Sequence, residues 1–325
     1  MKIACFENGS GPRLGVASPD GGLIDLAKAL QGSGDTAGLE AFSGDLISLI
    51  EAGPEATARV KRAIDWAITN GGCEVDTGSI TWLPPVLRPS KICCLALNNS
   101  ANSERIIRGP SHPALFLKAA NALLGHKGRV RVRKQYGRVH PEPELGIVIA
   151  KKATGINASE AYNYVYGYTI HNDITSPTMR AEDTFQYRAI HPSASGEAEI
   201  EYVDTFTSYP GRYKCSDTFS PLGPWVVTRD EISDPHNLTV TLRRGDEVVT
   251  EDNTANLTNK IPETLAFITH YITLLPGDVV SMGTALKRAS GRTVAVQNID
   301  MQHTDEPISI TIERIGTLVT GVERL

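Results

Sequence analysis

Two glutamates flank a proline directly before a short apolar run. The motif is Glu142-Pro143-Glu144, and the run Leu145–Ala150 that follows is rich in β-branched residues and is closed by two lysines. Such a run predicts a buried strand. Residues two apart on a strand point to the same side, so Glu142 and Glu144 should project together. Two carboxylates held that close repel each other, and one stays protonated unless a cation lies between them.

A third carboxylate follows a second apolar run. Residues Tyr164–Asn172 predict another strand, and Asp173 comes directly after it. Three carboxylates delivered from two strand ends would offer hard oxygen ligands, which suit Mg²⁺, Mn²⁺ or Ca²⁺ better than zinc. The alternative interpretation is a pair of strands flanked by solvated acids, which is a common arrangement. The spacing alone leaves both interpretations open.

The composition is that of an ordinary globular protein. The chain has 325 residues, of which 41% are hydrophobic and 21% charged, and its net charge is -5. This charge argues against general nucleic-acid binding, and the basic stretch Lys127–Lys134 alternates as a strand with one solvated face would. The five cysteines show no paired spacing. With no signal peptide and no segment that would span a bilayer, we expect a cytoplasmic protein without a membrane partner.

The chain predicts two domains. Residues 1–85 alternate short strands with two helical patterns and predict a small α/β domain, and the proline-dense stretch Leu83–Pro89 predicts a linker. Residues 86–325 predict a larger domain that is mostly β, interrupted by one helix from about Pro262 to Ile272. We therefore expect an α+β fold, mostly β, with a rolled or sandwiched sheet in the larger domain. Its strands are predicted at Ile92–Leu97, Ala114–Lys118, Val130–Arg133, Leu145–Ala150, Tyr164–Asn172, Trp225–Thr228, Leu238–Arg244, Val279–Met282, Thr293–Gln297 and Ile308–Arg314.

From Lys91 to its end, the chain resembles the fumarylacetoacetate hydrolase family. The resemblance rests on four stretches in the family's order: Glu142–Ile149, Gly167–Thr175, Lys214–Trp225 and Leu275–Thr284. It implies a β-rich catalytic fold, a homodimer, and Mg²⁺ or Mn²⁺ bound by two glutamates and one aspartate. The family's ligand positions correspond to Glu142, Glu144 and Asp173.

The resemblance also implies a substrate class and further site residues. Members of the family act on 2-keto or 2,4-diketo acids, often acylpyruvates, and a divalent ion that binds the keto acid would stabilise an enolate as it forms. Lys214 matches a family lysine that assists the substrate oxygen. Thr284 and Lys118 match family positions that would bind the substrate. Where the family carries an Arg-Asp pair, Arg180, Gln186 or Arg188 could supply a further substrate contact, and Arg180 is the one we expect.

One part of the family's pattern is changed. Hydrolases of the family usually carry a histidine and, three residues later, a glutamate that activate the attacking water, but here these positions hold Asn102 and Arg105. Asparagine accepts no proton at neutral pH, so the usual general base is absent. His140 is the best replacement because it shares the face of Glu142 if the strand begins early. Two alternatives are His171 and His191, although a lone histidine is more often structural.

The function expected from the sequence is therefore an Mg²⁺-dependent hydrolase that cleaves a C–C bond in a 2,4-diketo acid. Lys214 and His140 would be its catalytic residues. Because the water-activating pair is changed, two alternatives stay open. One is decarboxylation, isomerisation or dehydration of a 2-keto acid at the same metal site, and the other is a ligand-binding relative with weak catalysis.

Overall fold

The structure is a computed structural model, and it describes residues 1–38, 44–195, 199–291 and 296–325. Its strands are β1 (Lys2–Glu7), β2 (Pro12–Ala17), β3 (Leu23–Asp25), β4 (Thr81–Leu83), β5 (Ile92–Ala96), β6 (Ala114–Lys118), β7 (Leu123–Leu124), β8 (Arg129–Val132), β9 (Pro143–Ile149), β10 (Val165–Asn172), β11 (Thr184–Pro192), β12 (Ile200–Ser208), β13 (Ser220–Pro221), β14 (Val226–Thr228), β15 (Thr239–Arg244), β16 (Glu247–Asn253), β17 (Val279–Thr284), β18 (Ile308–Ile312) and β19 (Gly316–Arg324). Its helices are α1 (Leu26–Gly32), α2 (Leu46–Glu51), α3 (Gly53–Asn70), α4 (Pro177–Glu182), α5 (Arg212–Cys215) and α6 (Ile261–Tyr271).

Two sheets contain most of the strand residues, and the protein is α+β and mostly β. The larger has ten strands in the order β3-β2-β1-β14-β10-β9-β17-β5-β6, with β4 also paired to β1. The smaller has the order β16-β15-β18-β19-β8. Strand β9 is buried along its whole length because it lies between β10 and β17 and is covered on both faces. Its continuous apolar run is typical of such a central strand.

The larger sheet is continuous from the N-terminal residues into the rest of the chain. Strand β1 pairs with β14, with Ile3 opposite Val226, and β14 in turn pairs with β10. At that junction Gly167 is required, because a Cβ there would collide with the carbonyl group of Val227. Helices α1, α2 and α3 pack their apolar faces over the same sheet, in a core that also includes Val148 of β9. The boundary predicted near residue 85 therefore crosses a shared sheet and core, and the two-domain division stays a prediction.

Most of the predicted elements occur within two residues of their expected ends. The basic stretch is one example: Val130 and Val132 of β8 are buried, whereas Arg129 and Arg131 are exposed. The strand predicted at Thr293–Gln297 lies partly on residues 292–295, outside the described residues, and its end is wrong because Val296–Asn298 form a 3₁₀ turn. Among the helices of the described ranges, none is long and apolar enough to cross a membrane.

The hairpin of β11 and β12 was not predicted. Its nine-residue strands pair only with each other. Polar and apolar residues do alternate over 184–189, which was an available signal for β11, but the alternation breaks at Ile190, and along β12 it is irregular. The hairpin joins α4 to α5, two short helices that carry predicted site residues.

Candidate metal centre and its cavity

Hydrogen bonds between the start of β9 and the end of β10 place the three predicted carboxylates. Glu144 lies opposite His171 in the strand pair, and the backbone N–H of Asp173 donates to the carbonyl oxygen of Glu142 at 2.9 Å. The backbone N–H of Glu142 donates to Oδ1 of Asn172, also at 2.9 Å. Because the strands are antiparallel, the start of one meets the end of the other, and the three side chains converge there.

The structure brings Glu142, Glu144 and Asp173 within metal-chelating reach. Each offers a carboxylate oxygen, and these oxygens lie within 4.8 Å of one another. Glu144 and Asp173 are buried, and Glu142 is half-buried. Hard divalent ions bind carboxylate oxygens in groups of this kind, so the residues present fit a divalent ion.

Two lysines bind the same carboxylates from opposite sides. The Nζ atom of Lys214 donates to Oε2 of Glu142 at 2.9 Å and to Oδ2 of Asp173. The Nζ atom of Lys118 donates to Oδ1 of Asp173 at 2.6 Å and to the carbonyl oxygen of Phe219 at 2.7 Å. These charge-assisted bonds hold Asp173 in one orientation.

Burial and neighbouring charges shift the pKa values of the ionisable groups in the site in different directions, so these groups differ in protonation state at neutral pH. Burial, reinforced by the charges of Asp173 and Glu142, raises the pKa of Glu144 to about 8. Burial also opposes ionisation of Glu142, but Lys214 and His140 outweigh it and hold the pKa of Glu142 well below its usual range. Burial disfavours the charged form of Lys214, yet Asp173 and Glu142 raise the pKa of Lys214 above its usual range. At neutral pH Lys214 is therefore protonated, Glu142 is ionised, and Glu144 keeps its proton until a cation displaces it.

A buried chain of hydrogen bonds supports Glu144 from behind. The hydroxyl of Ser281 lies 2.5 Å from Oε2 of Glu144, Nδ1 of His171 lies 2.7 Å from Ser281 Oγ, and Nε2 of His171 lies 2.7 Å from Ser220 Oγ. When Glu144 is ionised, the Ser281 hydroxyl must donate to it, so Nδ1–H of His171 donates to Ser281 and Nε2 accepts from Ser220. Burial lowers the pKa of His171 to about 3, which keeps the ring neutral.

The three candidate histidines have different surroundings in the structure. Both ring nitrogens of His171 are occupied, and His191 lies on the exposed hairpin. His140 lies beside the carboxylates, with Nε2 2.9 Å from Oε1 of Glu142. Because ionised Glu142 only accepts, Nε2 of His140 carries a proton, and Nδ1 is buried with no hydrogen-bond partner among the described residues.

A cavity of about 470 Å³ opens beside the carboxylates. This volume lies in the range of roughly 300 to 1,000 Å³ that is usual for small-molecule sites. Six of the predicted site residues line the cavity: His140, Glu142, Asp173, Arg180, Lys214 and Thr284. Glu144 lies behind them, where Thr284 Oγ1 donates to its Oε1 at 3.0 Å. Lys118 does not line the cavity, because its ammonium group is buried against Asp173 and backbone carbonyls, and the substrate contact expected of it stays a prediction.

The lining also includes cations that the sequence did not single out for this role. Arg138 and Arg105 join Arg180 there, so the cavity's charged lining residues are three arginines and Lys214 against Glu142 and Asp173. Arg138 lies two residues before His140, and this strand-like spacing was the one available sequence signal that Arg138 shares a side with His140 at the cavity. Arginines bind carboxylates through paired hydrogen bonds, so the cavity suits a small organic anion.

The changed water-activating positions meet each other at the cavity wall. Asn102 is buried, and its Oδ1 accepts a hydrogen bond from Nη1 of Arg105 at 3.1 Å. Both residues line the cavity. The amide and the guanidinium therefore satisfy each other where a proton-accepting pair was expected, and neither takes a proton at neutral pH.

Comparison with known proteins identifies the family. The model of the fumarylacetoacetate (FAA) hydrolase C-terminal family matches residues 91–323, which is most of the chain. The chain therefore belongs to the fumarylacetoacetate hydrolase family. Proteins similar to this chain include a tautomerase and a hydrolase.

Three relatives illustrate this range. The mitochondrial oxaloacetate tautomerase FAHD2A of Bos taurus is 29% identical over 288 residues, which cover 87% of this chain and 81% of the relative. The maleylpyruvate hydrolase of Sphingobium sp. SYK-6, in complex with manganese (II) and pyruvate, has a TM-score of 0.69 at 26% identity and covers 100% of this chain and 99% of its own. A 5-carboxymethyl-2-hydroxymuconate delta-isomerase from Mycobacterium smegmatis shares the fold, with a TM-score of 0.66 at 23% identity and coverage of 100% and 99%. Because one relative is mitochondrial, the cytoplasmic location stays a prediction.

The protonation state of Glu144 predicts that metal binding releases a proton. At pH 7 the carboxyl group must lose its proton before it can bind a cation, so titration with Mn²⁺ should release about one proton per ion, and less above pH 8. Calorimetry in buffers of different ionisation enthalpy measures this release. The variant Glu144→Gln should bind Mn²⁺ weakly and release no proton. Tight binding by the native chain without proton release would contradict the assignment.

The support behind Glu144 predicts an effect of Ser281→Ala. The change leaves His171 Nδ1–H without its acceptor and Glu144 without its buried donor, so we expect Mn²⁺ affinity to fall by about 10- to 100-fold. Unfolding should cost about 1–3 kcal/mol less than in the native chain. Calorimetry and urea unfolding measure the two effects. Ser309→Ala on β18 is the matched control, because the Ser309 hydroxyl makes no hydrogen bond within the described ranges; an equal effect there would refute the role of Ser281.

Proposed function

We propose that the protein is a divalent-metal-dependent enzyme that interconverts the keto and enol forms, or double-bond isomers, of a small 2-keto acid. One observation carries the proposal: three carboxylates within 4.8 Å of one another adjoin a cavity whose cationic lining consists of three arginines and Lys214. The tautomerase name of one relative supports the same class of reaction.

Glu142, Glu144 and Asp173 are the residues that would hold the ion. Mg²⁺ is the preferred candidate, with Mn²⁺ or Ca²⁺ as alternatives, because all three ligands are hard oxygens. When bound, such an ion supplies positive charge that favours the enolate over the ketone. It also compensates the repulsion that otherwise keeps Glu144 protonated.

The cavity's own residues would bind and orient the substrate. Arg180 is exposed, and its guanidinium makes no ion pair in the part of the chain that the structure describes, so it is available to bind the substrate's carboxylate. Lys214 holds a proton beside the carboxylates, and its ammonium group lies 4.8 Å from the centre of the Phe116 ring. Thr284 would orient the substrate, as its hydroxyl borders both glutamates.

Proton transfer would then need one base and one acid. In its neutral form His140 would accept the proton from carbon through Nδ1, which is buried and has no protein partner in the described ranges, after the side chain turns this atom towards the cavity that it lines. Lys214 would give a proton from Nζ to the oxygen that gains charge, and both residues would then recover their starting states by proton exchange with solvent. In a double-bond shift, His140 would instead return its proton to the other carbon. No attacking water is needed for this reaction, which agrees with the loss of proton-accepting side chains at Asn102 and Arg105.

Hydrolysis of a C–C bond in a 2,4-diketo acid is the second candidate. The observation that favours it is again His140, since a base that lines the cavity would serve a water molecule as well as a carbon acid. The 26% identical hydrolase with manganese and pyruvate supports this alternative. Product analysis separates the two candidates, because hydrolysis gives pyruvate and an acid, whereas isomerisation cleaves no carbon–carbon bond and keeps the carbon skeleton intact.

The proposal predicts metal-dependent loss of enol absorbance when the protein is mixed with the enol of oxaloacetate. Activity should require Mg²⁺ or Mn²⁺ and disappear with EDTA, and Asp173→Asn should lower kcat/KM by more than about 100-fold because it removes a ligand. The matched control is Glu160→Gln, which removes an exposed acid outside the cavity. If oxaloacetate and acylpyruvates both react no faster with the metal-loaded protein than without it, the enzymatic proposal is wrong.

Restoring the missing pair should create or increase hydrolysis. In Asn102→His with Arg105→Glu, we expect pyruvate release from an acylpyruvate to rise by at least about 10-fold, because a general base typically contributes 10²- to 10⁴-fold. Coupled pyruvate detection measures it, with exposed Asn163→His as the control. Rapid hydrolysis by the native chain, abolished by His140→Gln but with metal affinity unchanged, would instead establish the second candidate.

A further inference from the structure

A second cavity lies at the opposite end of the strand pair that carries the candidate metal ligands. Its volume is about 770 Å³, within the range of roughly 300 to 1,000 Å³ that is usual for small-molecule sites. Residues just after β9, the start of β10 and the first turns of α3 contribute to its lining, and none of the described residues that line it also lines the first cavity. The proposed function therefore leaves the second cavity without a role.

Tyr166 lines the second cavity, and its buried hydroxyl group has no hydrogen-bond partner among the described residues. Thr57 of α3 adjoins it, but the Thr57 hydroxyl donates to the carbonyl oxygen of Gly53 at 3.3 Å. Tyr166 lies between Val165 and Gly167, where the pairing of β10 with β9 shifts register. Such a bulge redirects a side chain and is over-represented next to active sites. A buried polar group without a partner is rare in folded proteins, so this hydroxyl points to a missing ligand.

The groups that surround the second cavity from β10 and α3 are hydrogen-bond donors. Burial raises the pKa of Tyr166 well above its usual range, so the hydroxyl keeps its proton and can donate it to a ligand. Helix α3 is 18 residues long, and no side chain caps its N-terminus, where Gly53 and Pro54 line the cavity. The backbone N–H groups of a first helical turn have no partner within the helix, and they lie at the positive end of its dipole. Both features favour an anion.

Positive charge predominates among the side chains that line the second cavity. The basic ones are Lys61, Lys151, Lys152 and Arg229. The acidic ones are Glu51 and Asp230, and Asp230 is already paired with Nζ of Lys61 at 2.9 Å. The side chains of Lys152 and Arg229 form no ion pair or hydrogen bond with the described residues, so both are available to a ligand.

These donors match a phosphate group better than a carboxylate. A phosphate monoester carries three strong acceptor oxygens and nearly two negative charges at neutral pH, whereas a carboxylate offers two oxygens and one charge. The apolar part of the lining, which includes Ile50, Val165 and Pro276, suits the organic part of such a molecule. We propose that the second cavity is a further binding site of this protein, and that it takes a small organic molecule through a phosphate group held by Tyr166, Lys152, Arg229 and the N-terminus of α3.

Calorimetric titration of the full chain with phenyl phosphate, in the presence of Mg²⁺, tests the proposal. One phenyl phosphate should bind to each chain with a Kd below about 1 mM, and benzoate should bind at least about 10-fold more weakly. Tyr166→Phe should weaken the binding of phenyl phosphate by about 10-fold, because it removes one donor to a charged group. The same change should leave thermal stability equal or higher, since it also removes an unpaired buried hydroxyl. Unchanged affinity in Tyr166→Phe, or tighter binding of benzoate, would overturn the proposal.

Variants of matched charge identify which cavity binds the probe. Lys152→Glu with Arg229→Glu should weaken the binding of phenyl phosphate by more than about 10-fold. Arg133→Glu with Lys134→Glu changes the net charge equally at exposed positions outside both cavities, and it should bind as the native chain does. Arg180→Ala in the first cavity should also bind normally. No binding by the native chain, equal affinities in the two double variants, or loss of binding in Arg180→Ala would each contradict a site in the second cavity.

Discussion

The repulsion between three carboxylates that are held within 4.8 Å of one another is the constraint on which this structure depends. Two further strands and a helix bring polar groups to that point. Lys118 from β6 and Lys214 from α5 contribute positive charge, and Ser281 from β17 contributes a hydrogen bond. Even so, the two lysines cannot compensate three ionised acids, and Glu144 keeps a proton. A divalent ion resolves this imbalance, since it replaces one proton with two charges.

The same charge balance accounts for the kind of ligand that the cavity suits. Once a divalent ion has joined the carboxylates and the two lysines, the centre has a net positive charge, and three arginines line the cavity beside it. A small carboxylate with a neighbouring carbonyl meets these charges in two places, at the arginines and at the ion. Asn102 and Arg105 bind each other at the wall and supply no base. Chemistry that needs a proton transfer beside the ion is therefore better supported than chemistry that needs an activated water.

The site and the exposed hairpin are connected through the chain. Arg180 lies on α4 directly before β11, and Lys214 lies on α5 a few residues after β12. The ends of the hairpin are thus the helices that carry one proposed substrate ligand and one proposed proton donor.

The amino-acid sequence by itself determined the buried strand β9, the shared direction of Glu142 and Glu144, and the position of Asp173 at the next strand's end. These features follow from the local pattern of apolar residues and from the alternating direction of side chains along a strand. Both can be recognised in the sequence without knowledge of the fold. Motif resemblance then indicated the family and the remaining cavity residues Lys214, Thr284 and Arg180. Only the tertiary structure decided that Lys118 is buried against Asp173, that His171 is held between Ser220 and Ser281, and that Arg138 lines the cavity. Those contacts join residues from 49 to 110 positions apart, and no local pattern encodes which distant side chains a folded sheet brings together.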